Sequence, residues 1–464
     1  MAPTLNHDKS TVNLDFYTVN VMALTTLNAG LSYLQQKRQK KKADISSGVQ
    51  PNSIQPGDAG YEVFKKRFLQ VYLCVFGADW LQGPYIYPMY KDEKGLSEET
   101  VAHLFTTGFL AAAVSATFVG SLADRYGRRA ACRFFCITYS ASCITILFDN
   151  VIVLFLGRVL GGISTTLMYS VFESWMVTEY HCQRLDEMGG SLNDMFGIMT
   201  TLNSVVAIVA GLFAQCISDS LGTQKAPFLA AVLCLVLAFL SISKHWSENY
   251  GETAAHVTFL STQGEPEKNG FRLIKEDKRL WALGITSCFF EGSMYLWIFF
   301  KFPALRLTHQ LNGKGTDLPF GTIFAALMCA MMLGSMFFTW YTALPAGRWV
   351  IPASNLLSLC LMVAACCFLI PVLTRDEEIT FWCFCVFEIC VGIYFPTMGN
   401  LKENIVDDGV RAKVYGILRV PLNIFVVIGL GLTREGERHR DFIFRICGGA
   451  LIAAGVVVRA LMKE

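Results

Sequence analysis

Six charged residues, Asp79, Arg158, Glu173, Glu291, Glu388 and Arg419, sit inside stretches otherwise apolar enough to cross a bilayer. Each costs about 2.5–3.5 kcal/mol at the centre of a spanning helix on insertion scales, so as a set they cannot face lipid. They line a shared aqueous cavity or pair inside a helix bundle. Carboxylates in such a place can take and release protons, and guanidinium groups offer paired donors to an oxyanion. Around the Gly83-Pro84 break, Trp80, Gln82, Tyr85 and Tyr87 add a dense run of hydrogen-bonding groups. Backbone groups freed at such a break are tolerated where they face protein or water. Each residue also has a structural reading: a kink whose aromatics pack between helices, glutamates bonded to a neighbour's hydroxyl, or a Glu173 that snorkels near a helix end. Binding is the preferred reading except for Glu173, where neither prevails. Lys301 is expected to snorkel outward, and His103 to be a satisfied helix-end residue.

The elements that must hold these residues are membrane helices. Of 464 residues 53% are hydrophobic and 16% charged, with mean hydropathy +0.42, which excludes a soluble globular protein. A net charge of +2, with basic residues gathered in short loops, gives no footprint for nucleic acid. All of the sixteen cysteines but Cys182 fall in apolar segments, and the densest group, Cys383, Cys385 and Cys390, lacks a nearby histidine. They read as buried small hydrophobes, with neither a disulfide framework nor a metal site. No nucleotide-binding loop or nucleophile motif is present, so neither an enzyme nor a cofactor is expected.

An apolar run over 14–34, carrying Asn20 and Asn28, reads as an uncleaved anchor. The basic cluster from Lys37 to Lys42 behind it belongs in the cytoplasm, as a lipid-facing patch more than a targeting signal, which places the N-terminus outside. Residues 43–60 have the composition of a linker. Twelve further segments follow at 66–90, 100–123, 130–148, 151–178, 191–217, 226–243, 280–305, 320–343, 350–373, 379–401, 410–433 and 442–461. They divide six and six around a polar interval. The expected organisation is an anchor and linker over 1–63, a bundle over 64–243, a cytoplasmic loop over 244–279 with a short interfacial helix at 271–274, and a second bundle over 280–464. Basic residues in the 125–129 turn, the central loop (Lys268, Arg272, Lys275, Lys278, Arg279) and the group Lys402, Arg411 and Lys413 agree on one cytoplasmic side, which also takes the C-terminus. Arg434, Arg438 and Arg440 violate the rule locally, offset by Glu435, Glu437 and Asp441.

Between the second and third core segments lies Gly120-Ser121-Leu122-Ala123-Asp124-Arg125-Tyr126-Gly127-Arg128-Arg129. This stretch resembles the signature loop of major facilitator superfamily transporters, and Gly157-Arg158 with Gly161-Gly162 resembles a second superfamily signature. In the loop, Gly120 is expected to admit a neighbouring helix and Gly127 to permit a sharp reversal. Arg125, Arg128 and Arg129 would hold it in the cytoplasm, with Asp124 pairing to them. The resemblance implies an all-α fold of two six-helix bundles, here with one extra N-terminal transmembrane helix. Core helices 1, 4, 7 and 10 would line a central cavity bordered by helix 11, and those five carry the six charged residues.

The stretches 68–90, 156–175, 392–398 and 419–421 resemble more narrowly the eukaryotic molybdate-anion transporters. That likeness implies a secondary active transporter of the cell membrane, moving a small anion, molybdate, inward by alternating access. Arg158, Arg419, Trp80, Gln82, Tyr85 and Tyr87 would supply donors. The carboxylates would repel a dianion unless protonated or paired, which brings in a coupling proton. A transporter of another small organic solute, and a scaffold or receptor on a transporter fold, are the alternatives.

Overall fold

The computed structural model describes residues 15–46, 58–187, 190–251, 274, 276–315, 317–344, 351–406 and 411–462, with side chains at 38–46, 58–59 and 411–413 outside that description. Among the described residues the regular secondary structure is helical. The helices are α1 (Phe16–Ser46), α2 (Asp58–Gln82), α3 (Glu98–Ser115), α4 (Val119–Tyr126), α5 (Arg128–Thr145), α6 (Val151–Cys182), α7 (Leu192–Leu221) and α8 (Ala226–His245). In the second half they are α9 (Lys278–Leu311), α10 (Phe320–Thr342), α11 (Ala353–Thr374), α12 (Glu377–Ile405), α13 (Arg411–Gly431) and α14 (Glu437–Leu461). Polar caps start several of them where a short side chain meets an orphan N–H: Ser97 accepts from Thr100, Asn150 from Ile152 and Asp376 from Ile379.

By length and composition nine described helices can cross a membrane, or ten if α3 and α4, bent by 52°, form one span. Helices α1, α2 and α5 fall outside that group. Basic side chains such as Lys65, Lys66 and Arg67 on α2, and Arg128, Arg129 and Arg133 on α5, crowd their ends. The first core segment ends earlier than expected. Gly83-Pro84 closes α2 at Gln82, and the chain resumes as a short turn, Ile86–Pro88, and a π turn, Met89–Glu93.

The two halves repeat one another in packing. In the first half α2 meets α7 and α8, α3 meets α6, and α5 meets α6 and α8. Moving six core helices along the chain gives α9 against α13 and α14, α10 against α12, and α11 against α12 and α14, all of which occur. Glycines set the closest of these approaches. A Cβ on Gly162 would lie 2.4 Å from the Gly108 carbonyl, and one on Gly392 would lie 2.2 Å from the Met331 carbonyl. We expect Gly162→Leu and Gly392→Leu each to cost about 1–3 kcal/mol by overpacking. This would be read as loss of monodisperse protein in detergent, while Gly399→Leu, which meets open space, behaves as wild type.

Helix α1 packs on α10. Thr25 and Asn28 reach Cys329 and Ser32 reaches Met336, so the two helices run parallel. The first turn of α1 is fastened by Tyr17, whose hydroxyl donates to Glu377 at 2.7 Å. Glu377 is buried and also takes His309 Nδ1 at 2.6 Å and Lys314 at 3.1 Å. The interfacial helix expected at 271–274 falls outside the described residues apart from Ile274.

Candidate functional site

The ten candidate binding residues do not form one cluster. Gln82 is buried and returns its amide to the Ala78 carbonyl of its own helix at 2.9 Å. The Tyr85 hydroxyl donates to Gln215 at 3.0 Å, and Gln215 accepts from the Gly321 N–H of the other half at 2.8 Å. Tyr87 packs edge-on against Phe299, and Trp80 donates to Asn203 at 2.8 Å while its ring lies against Phe324. Tyr85, Tyr87 and Trp80 thus sit where the halves meet. Phe105 on Phe299 and Phe109 on Tyr295 extend the same seam.

At one end the seam is clamped by charge. Arg306 grips both oxygens of Asp92, at 2.7 and 2.5 Å, a fork-to-fork pair joining the second half to the first. Glu435 accepts Lys91 at 2.9 Å and the Glu98 N–H at 3.0 Å on the same oxygen. The exposed Glu435 carboxyl is held below its ordinary value of 4.5, first by that N–H and then by Lys91. A depressed carboxyl contributes above its unbound value and loses the contribution as pH falls through the lowered one. We therefore expect the Glu435 link to be intact at neutral pH and to open only below about pH 4.5. Glu435→Gln should make cross-linking between cysteines placed beside the pair, at 98 and 434, insensitive to acid.

Deeper in the first half, the Tyr139 hydroxyl donates to Asp79 at 2.5 Å, and Arg158 lies close enough for its charge to act on the same carboxylate. Arg158 is placed by Nε donating to the Leu104 carbonyl at 3.3 Å and by the Phe105 ring 5.4 Å below it. Gly108 makes room for it, since a Cβ there would lie 2.7 Å from the guanidinium. Glu173 remains exposed on α6, with Tyr72 as the group that feels its charge.

In the second half Glu291 accepts the hydroxyls of Ser287 at 2.5 Å and Tyr394 at 3.0 Å. Arg419 is exposed on α13 and acts electrostatically on Lys402 and Tyr295, both of which also feel Glu291. Glu173 and Arg419 are the two of the six charged residues that stay exposed. Glu388 stands apart from this group, buried on α12, and the charge that acts on it is Lys301.

Two expectations about cations are corrected. Lys301 does not snorkel: it is 4% exposed, with its ammonium 4.9 Å from the Trp297 ring centroid and 5.2 Å from those of Phe302 and Phe324. Lys402 is not a loop residue, because α12 runs on to Ile405 and lays its ammonium over Tyr415. Neither signal was available locally, since apolar neighbours in sequence do not tell whether they surround the ammonium or lead it outward.

The 120–129 stretch is mostly helix, with α4 lasting to Tyr126, so the reversal is concentrated at Gly127. Gly127 has φ +108°, and a Cβ there would strike Glu248 at 2.6 Å. Gly120 meets open space, which corrects the expected close approach of a helix at that position. Asp124 accepts Arg128 Nε at 2.8 Å, and Arg128 Nη1 reaches the Ser174 carbonyl at 3.1 Å and the Thr178 hydroxyl on α6. Arg129 reaches the Ser243 carbonyl at 2.6 Å, while Arg125 lies over the Tyr126 ring. Glu248, absent from the sequence reading, caps α5 by accepting the N–H groups of Arg129 at 2.8 Å and Ala130 at 3.2 Å. The side chains of Arg411 and Lys413, at the start of α13, lie outside the described residues.

Two repeated bundles, a seam clamped at one end and charges held at spanning depth define a multi-pass membrane transporter. The chain matches, over residues 45–380, the family described as sugar transporters, 12 TM. It is 30% identical over 447 residues to a molybdate-anion transporter of Takifugu rubripes, covering 89% of this chain and 90% of that protein. Against the Danio rerio molybdate-anion transporter it is 30% identical over 457 residues, 91% of each. Among solved structures its fold is similar to the nucleoside transporter NupG, with TM-score 0.62, 14% identity and coverage of 86% and 99%. It is also similar to the peptide transporter POT in complex with sulfate, with TM-score 0.65, 14% identity and coverage of 86% and 94%. The chain belongs to the major facilitator superfamily and is related to the molybdate-anion transporters.

Proposed function

We propose that the chain carries a small oxyanion, molybdate foremost, into the cell by alternating access, with a proton moving alongside it. The observation that carries this reading is the pairing of cations with carboxylates in each half, which we take as the walls of one aqueous cleft. Arg158 beside Asp79, and Arg419 with Lys402 beside Glu291, put guanidinium donors and protonatable carboxylates on opposite halves of one transporter fold. The names of the relatives supply the particular anion. With the clamp of Asp92, Arg306, Lys91 and Glu435 taken as extracellular, the conformation opens toward the cytoplasm. The parallel run of α1 and α10 then puts the start of α1 outside and Lys37 inside. In this reading α1 is a thirteenth spanning helix, and the halves over 64–243 and 280–464 rock about the seam.

Energetics favour coupling. At an interior-negative potential of about 60 mV a dianion spends roughly 3 kcal/mol to enter. Uniport alone would hold it about a hundredfold lower inside. The test is uptake of labelled molybdate into proteoliposomes with and without an inward proton gradient. Gradient-stimulated uptake is the expected result. Absence of any molybdate flux would leave a carrier of another organic solute or a scaffold on a transporter fold.

A further inference from the structure

We propose that Lys301, Trp297 and Glu388 form a binding site for a small oxyanion that arrives together with one proton. This rests on the transport reading above and places its proton at a residue. Lys301 and Glu388 lie on α9 and α12, 4% and 5% exposed, and each is the charged group that acts on the other. They are farther apart than the about 4 Å of a direct ion pair, and neither makes a hydrogen bond among the described residues. An ammonium with three donors and a carboxylate with two acceptors, both withdrawn from water, are costly to leave without hydrogen bonds. The three rings around Lys301 stabilise its charge through their π faces but accept none of its N–H groups in the ordinary sense.

A third group borders the same place. The Trp297 indole N–H is buried without a partner among the described residues, and that ring, 1% exposed, is the one 4.9 Å from the Lys301 ammonium. The ring also lies against Phe384 and Phe387, next to Glu388 on α12. The locus therefore offers two kinds of donor, the ammonium and the indole N–H, and one acceptor. A tetrahedral oxyanion carrying a hydrogen complements it, accepting from Lys301 and Trp297 and donating its O–H to Glu388. The same atoms describe a dianion beside a protonated Glu388. In either form one proton enters from solvent with the anion, no other bond is made or broken, and the added charge falls from two negative to one.

Titratable groups facing Glu388 are few. Lys301 comes from α9 and Cys385 from its own helix; α10 presents Cys329 to Cys385, and the α11 thiol of Cys360 donates to the Cys390 carbonyl. Phe324 is the lid. Its ring covers Lys301 and wedges against Gly83 and Gly211 of the other half, with contacts for a glycine Cβ of 3.4 and 3.0 Å. A change at the seam therefore moves the side chain that closes the site.

The test is titration calorimetry of the full chain in detergent with sodium molybdate at neutral pH, in two buffers of different ionisation heat. The wild type should take up about one proton per anion bound. Glu388→Gln should bind without proton uptake. Trp297→Phe, which keeps the ring and removes the donor, should weaken binding roughly tenfold at an unchanged proton count, about the loss of one hydrogen bond. Lys301→Gln should weaken it further. Molybdate binding with no proton uptake by the wild type, or Glu388→Gln and Trp297→Phe both matching the wild type, overturns the site. In that case loss of binding in Arg419→Ala would still uphold anion transport through the cleft. No molybdate binding by the wild type overturns both readings.

Discussion

Arg419→Ala is expected to reduce oxyanion uptake about a hundredfold, and Arg419→Lys to retain roughly a tenth of it. The side chain is exposed on α13, two residues before Pro421, where the helix lacks one backbone donor and its course can bend toward the cleft. A guanidinium presents parallel donors to two oxygens of a tetrahedral anion, whereas lysine keeps the charge and loses the fork. Loss of a charge-assisted pair in a partly dry cleft corresponds to about 1.5–3 kcal/mol, one to two powers of ten in rate. The competing account is neutralisation of a carboxylate, and the structure decides which carboxylate to test. Glu388 has Lys301 for its charged neighbour, while Glu291 shares Lys402 and Tyr295 with Arg419. The double substitution Arg419→Ala with Glu291→Gln therefore separates the two. If uptake per surface molecule returns in the double variant, Arg419 serves Glu291; if it stays at the level of Arg419→Ala, the guanidinium acts on the substrate.

Much of the fold was legible because membrane insertion imposes it. Twenty apolar residues in a row have few alternatives to a spanning helix, and the six-plus-six spacing carries the repeat that the paired contacts of α3 with α6 and α10 with α12 then display. Charges at spanning depth were equally visible, since their cost is independent of their partners. The partners themselves were hidden. Tyr139 to Asp79 spans 60 positions and Tyr394 to Glu291 spans 103, and nothing in either segment marks one tyrosine above its neighbours. Lys301 reads as a helix-end lysine until three rings, one of them from α10, are seen around it. Gln82 and Tyr85 belong to the same polar run as Asp79, yet helix phase and the Gly83-Pro84 break turn Tyr85 into the seam and leave Gln82 bonded to its own helix. The linear motif fixed neither the hand of the break nor the helix met beyond it.

Arg128→Ala is expected to slow transport roughly tenfold more than Asp124→Asn, with both variants inserted and displayed in wild-type amounts. Arg128 joins two elements, accepting orientation from Asp124 on α4 and donating onward to the Ser174 carbonyl and the Thr178 hydroxyl of α6. Its side chain is 12% exposed while that of Asp124 is 48% exposed, so the guanidinium is the drier partner and loses more when left unsupported. Asparagine at 124 keeps an oxygen in place to accept from Arg128 and sacrifices only the charge. Alanine at 128 removes the side-chain link between Asp124 and α6, leaving α4 to its direct packing on α6 and to the Gly251 N–H on the Asp124 carbonyl at 3.1 Å. Because α6 also carries Arg158 and Glu173, a loosened α4 lets the cleft wall move without the hinge that aligns it. Uptake rates divided by surface-biotinylated protein measure the difference. Arg128→Ala transporting at the wild-type rate would reduce the motif to a charged turn that orients the chain in the membrane and takes no part in the cycle.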